Sequence, residues 1–224
     1  MRLFIATGLF YFTLNLCSAA HAIQVTGCHC FKNRNFDVAQ PGAVDPYLLA
    51  TTQNSFLAAI FRIDKKQIVQ AKMGGVSGDD LWTAHFAASK TGTNAKKLLA
   101  FRKASGSWKK VLEQNKIKFK SIKPHFKEAL ARDISDKGLS SMIVDQMIID
   151  YLGAEKFEVA RLREAGAQNK EIILSAFLAR RTKRSAAGFY SAVTSGQSTW
   201  GKILNDLKIE AKEMGTEVNK ILAH

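Results

Sequence analysis

The sequence from residue 48 to residue 224 contains one pattern twice, and this repetition limits the folds that the chain can adopt. Each copy has a tryptophan shortly after a Ser-Gly turn, Trp108 after Ser105-Gly106 and Trp200 after Ser195-Gly196. Glycine, apolar and small residues recur at an offset of 91 residues before these turns and of 92 after them. The offset changes inside a turn, where loops tolerate insertions better than helices do. The pattern predicts a tandem duplication. Examples of matched pairs are Gly75 and Gly166, Leu81 and Ile172, Phe86 and Phe177, and Leu112 and Leu204.

Helical spacing runs through both copies. Leu48, Leu49, Thr52, Phe56, Leu57 and Ile60 form one such stripe, and no strand-like alternation bounded by turn residues occurs. Asp45-Pro46 has an N-cap residue followed by proline at the first helical position, and Pro124 starts a later helix. We predict an all-α fold with five to six helices per unit. The first unit spans residues 48–138, the second spans residues 139–224, and an irregular lead-in covers residues 23–47.

The first 22 residues have the pattern of a secretory signal peptide. Arg2 precedes an almost wholly apolar run from Leu3 to Leu16, and Ala20-His21-Ala22 offers small residues at a cleavage site. We therefore expect an exported protein, periplasmic or secreted. A retained membrane helix is an alternative, although the apolar run is short for a span. A lipoprotein anchored at Cys28 is another, because a small residue, Gly27, precedes that cysteine.

Cys28, His29 and Cys30 are adjacent in the lead-in. Two cysteines in an exported chain of this length do not make a disulfide scaffold. One interpretation is a strained bridge between them or a pair of bridges to another chain. Another is a copper or zinc site with two thiolate ligands and one imidazole, which would need a further ligand from elsewhere. A thiol-redox role is a third. The order of residues does not match the haem attachment pattern.

Positive charge is concentrated in the first unit. The chain has a formal net charge of +14. Residues 48–138 contain 18 Lys and Arg against 7 Asp and Glu, whereas residues 139–224 contain 12 against 10. A charge that the fold required would occur in both units. The excess therefore points to a partner, or to a solvated surface that keeps the protein soluble.

The excess is greatest between Lys96 and Lys127. We call this segment the basic run, and Glu113 is its single acidic residue. Phe101, Trp108, Phe119 and Phe126 are interleaved with it. Such a surface attracts anions, and lysine outnumbers arginine, which favours diffuse attraction over bidentate phosphate recognition. The partners we expect are an anionic membrane surface, lipopolysaccharide or an acidic protein. The candidate anion-binding residues are Lys96, Lys97, Arg102, Lys103, Lys109, Lys110, Lys116, Lys118, Lys120, Lys123 and Lys127.

Motifs for other functions are weak. The segment from Ile68 to Ala88 has the order of a helix-turn-helix, but its Leu81, Trp82 and Phe86 suit a core, and the signal segment argues against DNA binding. The two tryptophans are expected in the core because their positions match. Asp145 and Asp150 are interpreted as solvated charges. No phosphate-binding glycine loop, nucleophile elbow or metalloprotease spacing is present. We therefore predict a non-enzymatic binding or scaffold protein, with a metal or thiol-redox protein as the alternative.

Overall fold

The computed structural model describes residues 31–114 and 123–223, and within these ranges every regular element is helical. This confirms the all-α prediction for the described part of the chain. The signal segment lies outside it. The α-helices are α1 (Asp45–Phe61), α2 (Lys65–Met73), α3 (Gly78–Thr91), α4 (Ala95–Ser105), α5 (Trp108–Gln114), α6 (Pro124–Ala131), α7 (Asp136–Met147), α8 (Lys156–Glu164), α9 (Asn169–Thr182), α10 (Ala186–Thr194), α11 (Trp200–Asp206) and α12 (Met214–Leu222). A π-helical turn, Ile148–Leu152, extends α7, and a 3₁₀ turn, Ala211–Glu213, precedes α12.

Short polar side chains begin most of the described helices. Asp64 caps α2 by accepting from the N–H of Lys66, and Ser77 caps α3 by accepting from the N–H of Asp80. Each satisfies a backbone donor that has no partner within the helix. The prediction for α1 was wrong. Its N-cap residue is Val44, no side chain caps it, and Asp45 is its first helical residue.

The Asp45 carboxylate instead caps a helix of the second unit. It accepts hydrogen bonds from the N–H of Trp200 at 3.2 Å and of Gly201 at 2.7 Å, at the start of α11. The reverse contact also exists, because Asp136 at the start of α7 accepts from the N–H of Trp108 at 2.9 Å. Each tryptophan helix is therefore capped by a carboxylate at the start of a long helix elsewhere in the chain, α11 by Asp45 of α1 and α5 by Asp136 of α7.

The long first helices cross between the units in the same reciprocal way. Helix α1 packs on α9 and α12, and α7 packs on α3. The buried apolar side chains form one continuous cluster that includes Trp82 and Trp108 from the first unit and Phe177 and Trp200 from the second. The prediction that Trp108 and Trp200 lie in the core is confirmed, since they are 1% and 2% exposed. The two units therefore share a single core.

Helix α1 is enclosed on more than its apolar stripe. The five consecutive polar residues 51–55, Thr-Thr-Gln-Asn-Ser, are all buried. The Thr52 hydroxyl donates to the Leu48 carbonyl at 2.7 Å. The others face neighbouring helices, so a polar segment lies in the middle of the molecule. Buried polar groups need partners, and Lys65 and Lys72 of α2 supply them for Thr51 and Asn54.

Candidate functional site

The described part of the predicted anion-binding set divides into paired and unpaired cations. Arg102 forms ion pairs with Asp80 and Asp136, Lys109 pairs with Asp133, and Lys123 pairs with Asp150. The remaining described members are exposed and have no ion-pair partner in residues 31–114 and 123–223. These are Lys96, Lys97, Lys103 and Lys110. Lys116, Lys118, Lys120 and the side chain of Lys127 lie outside the described residues.

We call Lys96, Lys97, Lys103 and Lys110 the lysine face. The first three lie on α4 and the fourth on α5. Lys96 and Lys103 are two turns apart and so lie on one side of α4, and the ammonium of Lys97 lies 5.5 Å from the centre of the Phe101 ring. At the positions 91 residues onward the second unit has Ala187, Gly188 and Thr194. Helix α10 therefore lacks the three charges of α4, whereas Lys110, at the offset of 92 that applies after the turn, is matched by Lys202.

The aromatic residues interleaved with the basic run are mostly unavailable for stacking on a ligand. Trp108 and Phe126 are each 1% exposed. Phe101 is only partly exposed, and Phe119 lies outside the described residues. The chemistry that this face offers is therefore that of ammonium groups, which attract anions without strong geometric selection.

Arg102 has a structural role in a ring of four side chains. Its guanidinium bridges Asp80 at 3.1 Å and Asp136 at 2.8 Å. The same two carboxylates hold Trp108, because Asp80 accepts from the indole N–H at 2.8 Å and Asp136 accepts from the backbone N–H. The ring joins α3, α4, α5 and α7, so it fixes the tryptophan and ties α7 to the helices before it.

A second polar cluster, which the sequence did not reveal, lies between the units. Lys72 donates to the Asn54 side-chain oxygen at 2.6 Å. At the positions 91 residues onward, Arg163 donates to Asp145 from two nitrogens, at 2.7 Å and 3.0 Å. Asp145 is partly buried, so its interpretation as a solvated charge was wrong. Burial raises the pKa of Asp145, and the hydrogen bond and charge of Arg163 oppose part of that shift.

The two pairs differ in charge. Asp145 neutralises Arg163, whereas the amide of Asn54 cannot neutralise Lys72. The carboxylate whose charge acts on Lys72 is that of Asp79. It accepts hydrogen bonds from the side chains of Ser140 and Asn169, each at 2.9 Å. Burial lowers the pKa of Lys72 to about 8, the charge of Asp79 opposes this, and the charge of Lys170 adds to it.

Stability should depend on the protonation of Lys72. Between pH 8 and 10.5 the unfolded chain still holds the proton that the folded chain has released, so the free energy of unfolding should rise with pH. From pH 7 to pH 10, we expect the free energy of unfolding of the wild type to rise by about 2 kcal/mol relative to that of Lys72→Met. Urea denaturation of both proteins at the two pH values measures it. Parallel pH dependence in the two proteins would contradict the expectation.

The cysteine cluster and the histidines add little described chemistry. Cys28, His29 and Cys30 lie outside the described residues, and residues 31–114 and 123–223 contain no group of three or more His, Cys, Asp or Glu side chains that could hold a metal ion. His85 stacks on Phe61 at 5.9 Å between ring centres, and burial lowers its pKa. It is therefore a packed side chain.

Comparison with known proteins identifies no relative, because no family model, curated protein or solved structure matches the chain. Among the described helices, none is both long enough and apolar enough to cross a bilayer. Functional inference therefore depends on the residues themselves.

Proposed function

We propose that this chain is an exported, non-enzymatic binding or scaffold protein whose lysine face contacts an anionic partner. The observation that carries the proposal is the contrast within the basic run. Three described cations of that run are held by carboxylates of the same chain, while the lysine face has four exposed ammonium groups with no carboxylate partner in the described residues. Unpaired charges of one sign attract an anionic surface over several ångströms.

The partner class follows from the residue type. Lysine is a compact point charge, and its diffuse attraction suits a phospholipid headgroup layer, lipopolysaccharide or an acidic protein surface. Export, which the signal segment predicts, would bring the protein to the membrane surfaces where such partners lie. The membrane surface is the partner that we propose to test first.

We also propose that a tandem duplication produced the fold. Helices α2 and α8 have nine residues each, and α3 and α9 have fourteen, all at an offset of 91. Helix α1 has 17 residues, as α7 and its π-helical turn have together, again at an offset of 91. The turns after α2 and α8 both use glycine with a φ of 87°, at Gly75 and Gly166. These correspondences support a common origin of the two units.

Binding to anionic vesicles should be strong at low salt and lost at high salt. Lysines near an anionic membrane contribute on the order of 1 kcal/mol each. Changing all four lysines of the lysine face to glutamate should therefore weaken binding to phosphatidylglycerol vesicles at least about a hundredfold. Vesicle co-sedimentation of the mature protein at low and high salt measures this, with phosphatidylcholine vesicles as the neutral reference.

A control variant with the same net charge as the four-lysine variant tests whether binding depends on the lysine face itself or only on the net charge of the protein. It reverses four exposed lysines of the second unit, and we expect it to retain most of the binding. Binding that is insensitive to salt, or that both variants weaken equally, would contradict the proposal. The control residues are Lys156, Lys202, Lys208 and Lys220.

A further inference from the structure

A cleft with a volume of about 300 Å³ opens between the end of α1, the start of α2 and the face of α12. Ser55, Arg62, Lys65 and Asn219 supply its polar lining. Ala58, Ala59, Ile63 and Gly215 supply its remaining, largely apolar lining. The lysine face shares no residue with this cleft. The sequence did not reveal the cleft, because α12 is about 150 residues away from α1 along the chain.

Ser55 is the first indication that the cleft has an occupant. The residue is 4% exposed, and its hydroxyl oxygen has no hydrogen-bond partner in residues 31–114 and 123–223. A buried hydroxyl without a partner is unfavourable by roughly 1–3 kcal/mol. A helical hydroxyl can donate to its own backbone, as Thr52 does to Leu48, but Ser55 does not. The hydroxyl therefore has no acceptor within the described residues, and the residue lines the cleft.

The charge around the cleft is the second indication. Arg62 and Lys65 have no carboxylate within ion-pair distance in the described part of the chain. Lys65 is held in place, since its ammonium donates to the Thr51 hydroxyl at 2.7 Å, and this leaves it two further donors. Burial lowers its pKa, a shift that no neighbouring carboxylate offsets. Two cations and a free hydroxyl donor at one opening are complementary to an anion.

The second unit contains a carboxylate at the position that corresponds to the lining of the cleft. The position 91 residues after Ala59 is Asp150. Its carboxylate accepts from Gln146, which corresponds to Ser55, at 2.7 Å, and from the ammonium of Lys123 at 3.2 Å. At the offset of 92 that applies after the turns, Lys123 corresponds to Gly215. Lys123 immediately precedes α6, and Gly215 is the second residue of α12. The second unit thus has the carboxylate of Asp150 where the first unit has Ala59 and the cleft.

We propose that this cleft binds a small organic carboxylate, with the carboxylate on Arg62, Lys65 and Ser55 and a short apolar body against Ala58, Ala59 and Ile63. The volume is at the lower limit of small-molecule sites, so the ligand would be a short-chain acid rather than a lipid. Asn219, exposed on α12, offers an amide to a polar substituent. This binding activity is separate from the lysine face and does not depend on it.

The test uses linear carboxylic acids from acetate to hexanoate, with hexanol and inorganic phosphate as probes of the apolar and the anionic contributions. Isothermal titration calorimetry of the mature protein should show binding that strengthens roughly threefold per added methylene group. Hexanol and phosphate should each bind at least about tenfold more weakly than hexanoate. Equal binding of hexanol, or tighter binding of phosphate, would overturn the assignment, as would the absence of hexanoate binding at millimolar concentration.

Three variants locate the site. Arg62 has a φ of 52° at the end of α1, and Arg62→Asn removes the charge with a residue that tolerates this conformation. Ala59→Asp places a carboxylate in the cleft, as Asp150 does in the second unit. Gly215→Ala narrows the cleft, since the added Cβ would lie 3.6 Å from the Ser55 hydroxyl oxygen, an ordinary contact. All three should weaken hexanoate binding at least about tenfold.

The matched control is Lys156→Met, because Lys156 lies 91 residues after Lys65 and outside the cleft. It should leave hexanoate binding unchanged. Thermal unfolding of each variant checks the fold, and Gly215→Ala should be at least as stable as the wild type because alanine favours a helix. Hexanoate binding that persists in a folded Ala59→Asp protein, or that the control abolishes, would overturn the proposal.

Discussion

Replacing Gly201 with alanine should destabilise the protein by about 3 kcal/mol, near the upper end for overpacked sites. An added Cβ would clash with the Pro41 carbonyl oxygen, and it would lie 2.5 Å from a Val44 methyl carbon and 3.2 Å from the Phe36 ring. The closest of these is backbone, so no side-chain rotation relieves the clash. The lead-in would have to move away from α11.

Two hydrogen bonds oppose that movement. Thr199 donates from its hydroxyl to the Pro41 carbonyl at 3.0 Å, and the N–H of Gly201 donates to Asp45 at 2.7 Å. Displacing the lead-in would lengthen both and leave buried groups unsatisfied. At the corresponding position of the first unit, α5 has Lys109, which is exposed enough to pair with Asp133. The glycine is thus required by the lead-in that covers it and not by the helix.

Urea denaturation at pH 7 measures the effect, and Gly188→Ala is its control. Gly188 lies inside α10, and an added Cβ would meet only the Ser185 Cβ, at 3.7 Å. That change should stabilise the protein by about 0.5–1 kcal/mol because it removes backbone freedom from the unfolded chain. A Gly201→Ala protein as stable as the wild type would show that the lead-in does not pack on α11 as described.

Replacing Asp80 with alanine should also destabilise the fold by about 3 kcal/mol. The change removes the acceptor of the Trp108 indole N–H, which is buried, and one of the two carboxylates that hold Arg102. It also removes the acceptor of the Ser77 hydroxyl. The buried donor and the weakened ion pair act together because they share one carboxylate.

Asp80→Asn separates the two contributions. The amide oxygen can still accept from the indole, so the loss should fall to about 1 kcal/mol, mainly from the ion pair. Glu171, 91 residues after Asp80, offers a second comparison: it accepts from the Gln168 N–H at 2.8 Å and serves as a cap. Glu171→Ala should therefore destabilise by only about 1 kcal/mol. Equal losses for Asp80→Asn and Asp80→Ala would contradict the role of the indole bond.

Local chemistry made much of the helix pattern predictable. Proline at residue 124, glycine at residues 92 and 106 and the cap at Asp64 act over one turn of chain, and helices begin or end at each of them. The partner of Asp45 was not predictable in this way. Its carboxylate bonds to backbone groups 155 and 156 residues away, and helical periodicity carries no information about which helix will lie beside another.

The candidate sites show the same limit. The sequence identified the excess of lysine, but it did not indicate that Arg102, Lys109 and Lys123 have carboxylate partners, because those partners come from other helices. It indicated burial of Thr52, which lies in the apolar stripe of α1, but not of the other four residues in 51–55. Polar side chains on a helix normally face solvent, whereas α1 is enclosed by several helices, among them α9 and α12. The lysine face and the cleft were therefore visible only once the helices were placed.

The packing of α1 on α12 determines when the molecule can become stable. A chain that emerges from its amino end exposes α1 first, yet residues 214–222 are needed to cover it. Until then, α1 lacks part of its native surroundings, so its packing is complete only when almost the whole chain is present. Contacts this distant along the sequence slow folding. For the exported protein that we propose, this dependence on α12 would leave the chain less tightly packed until its last helix is present.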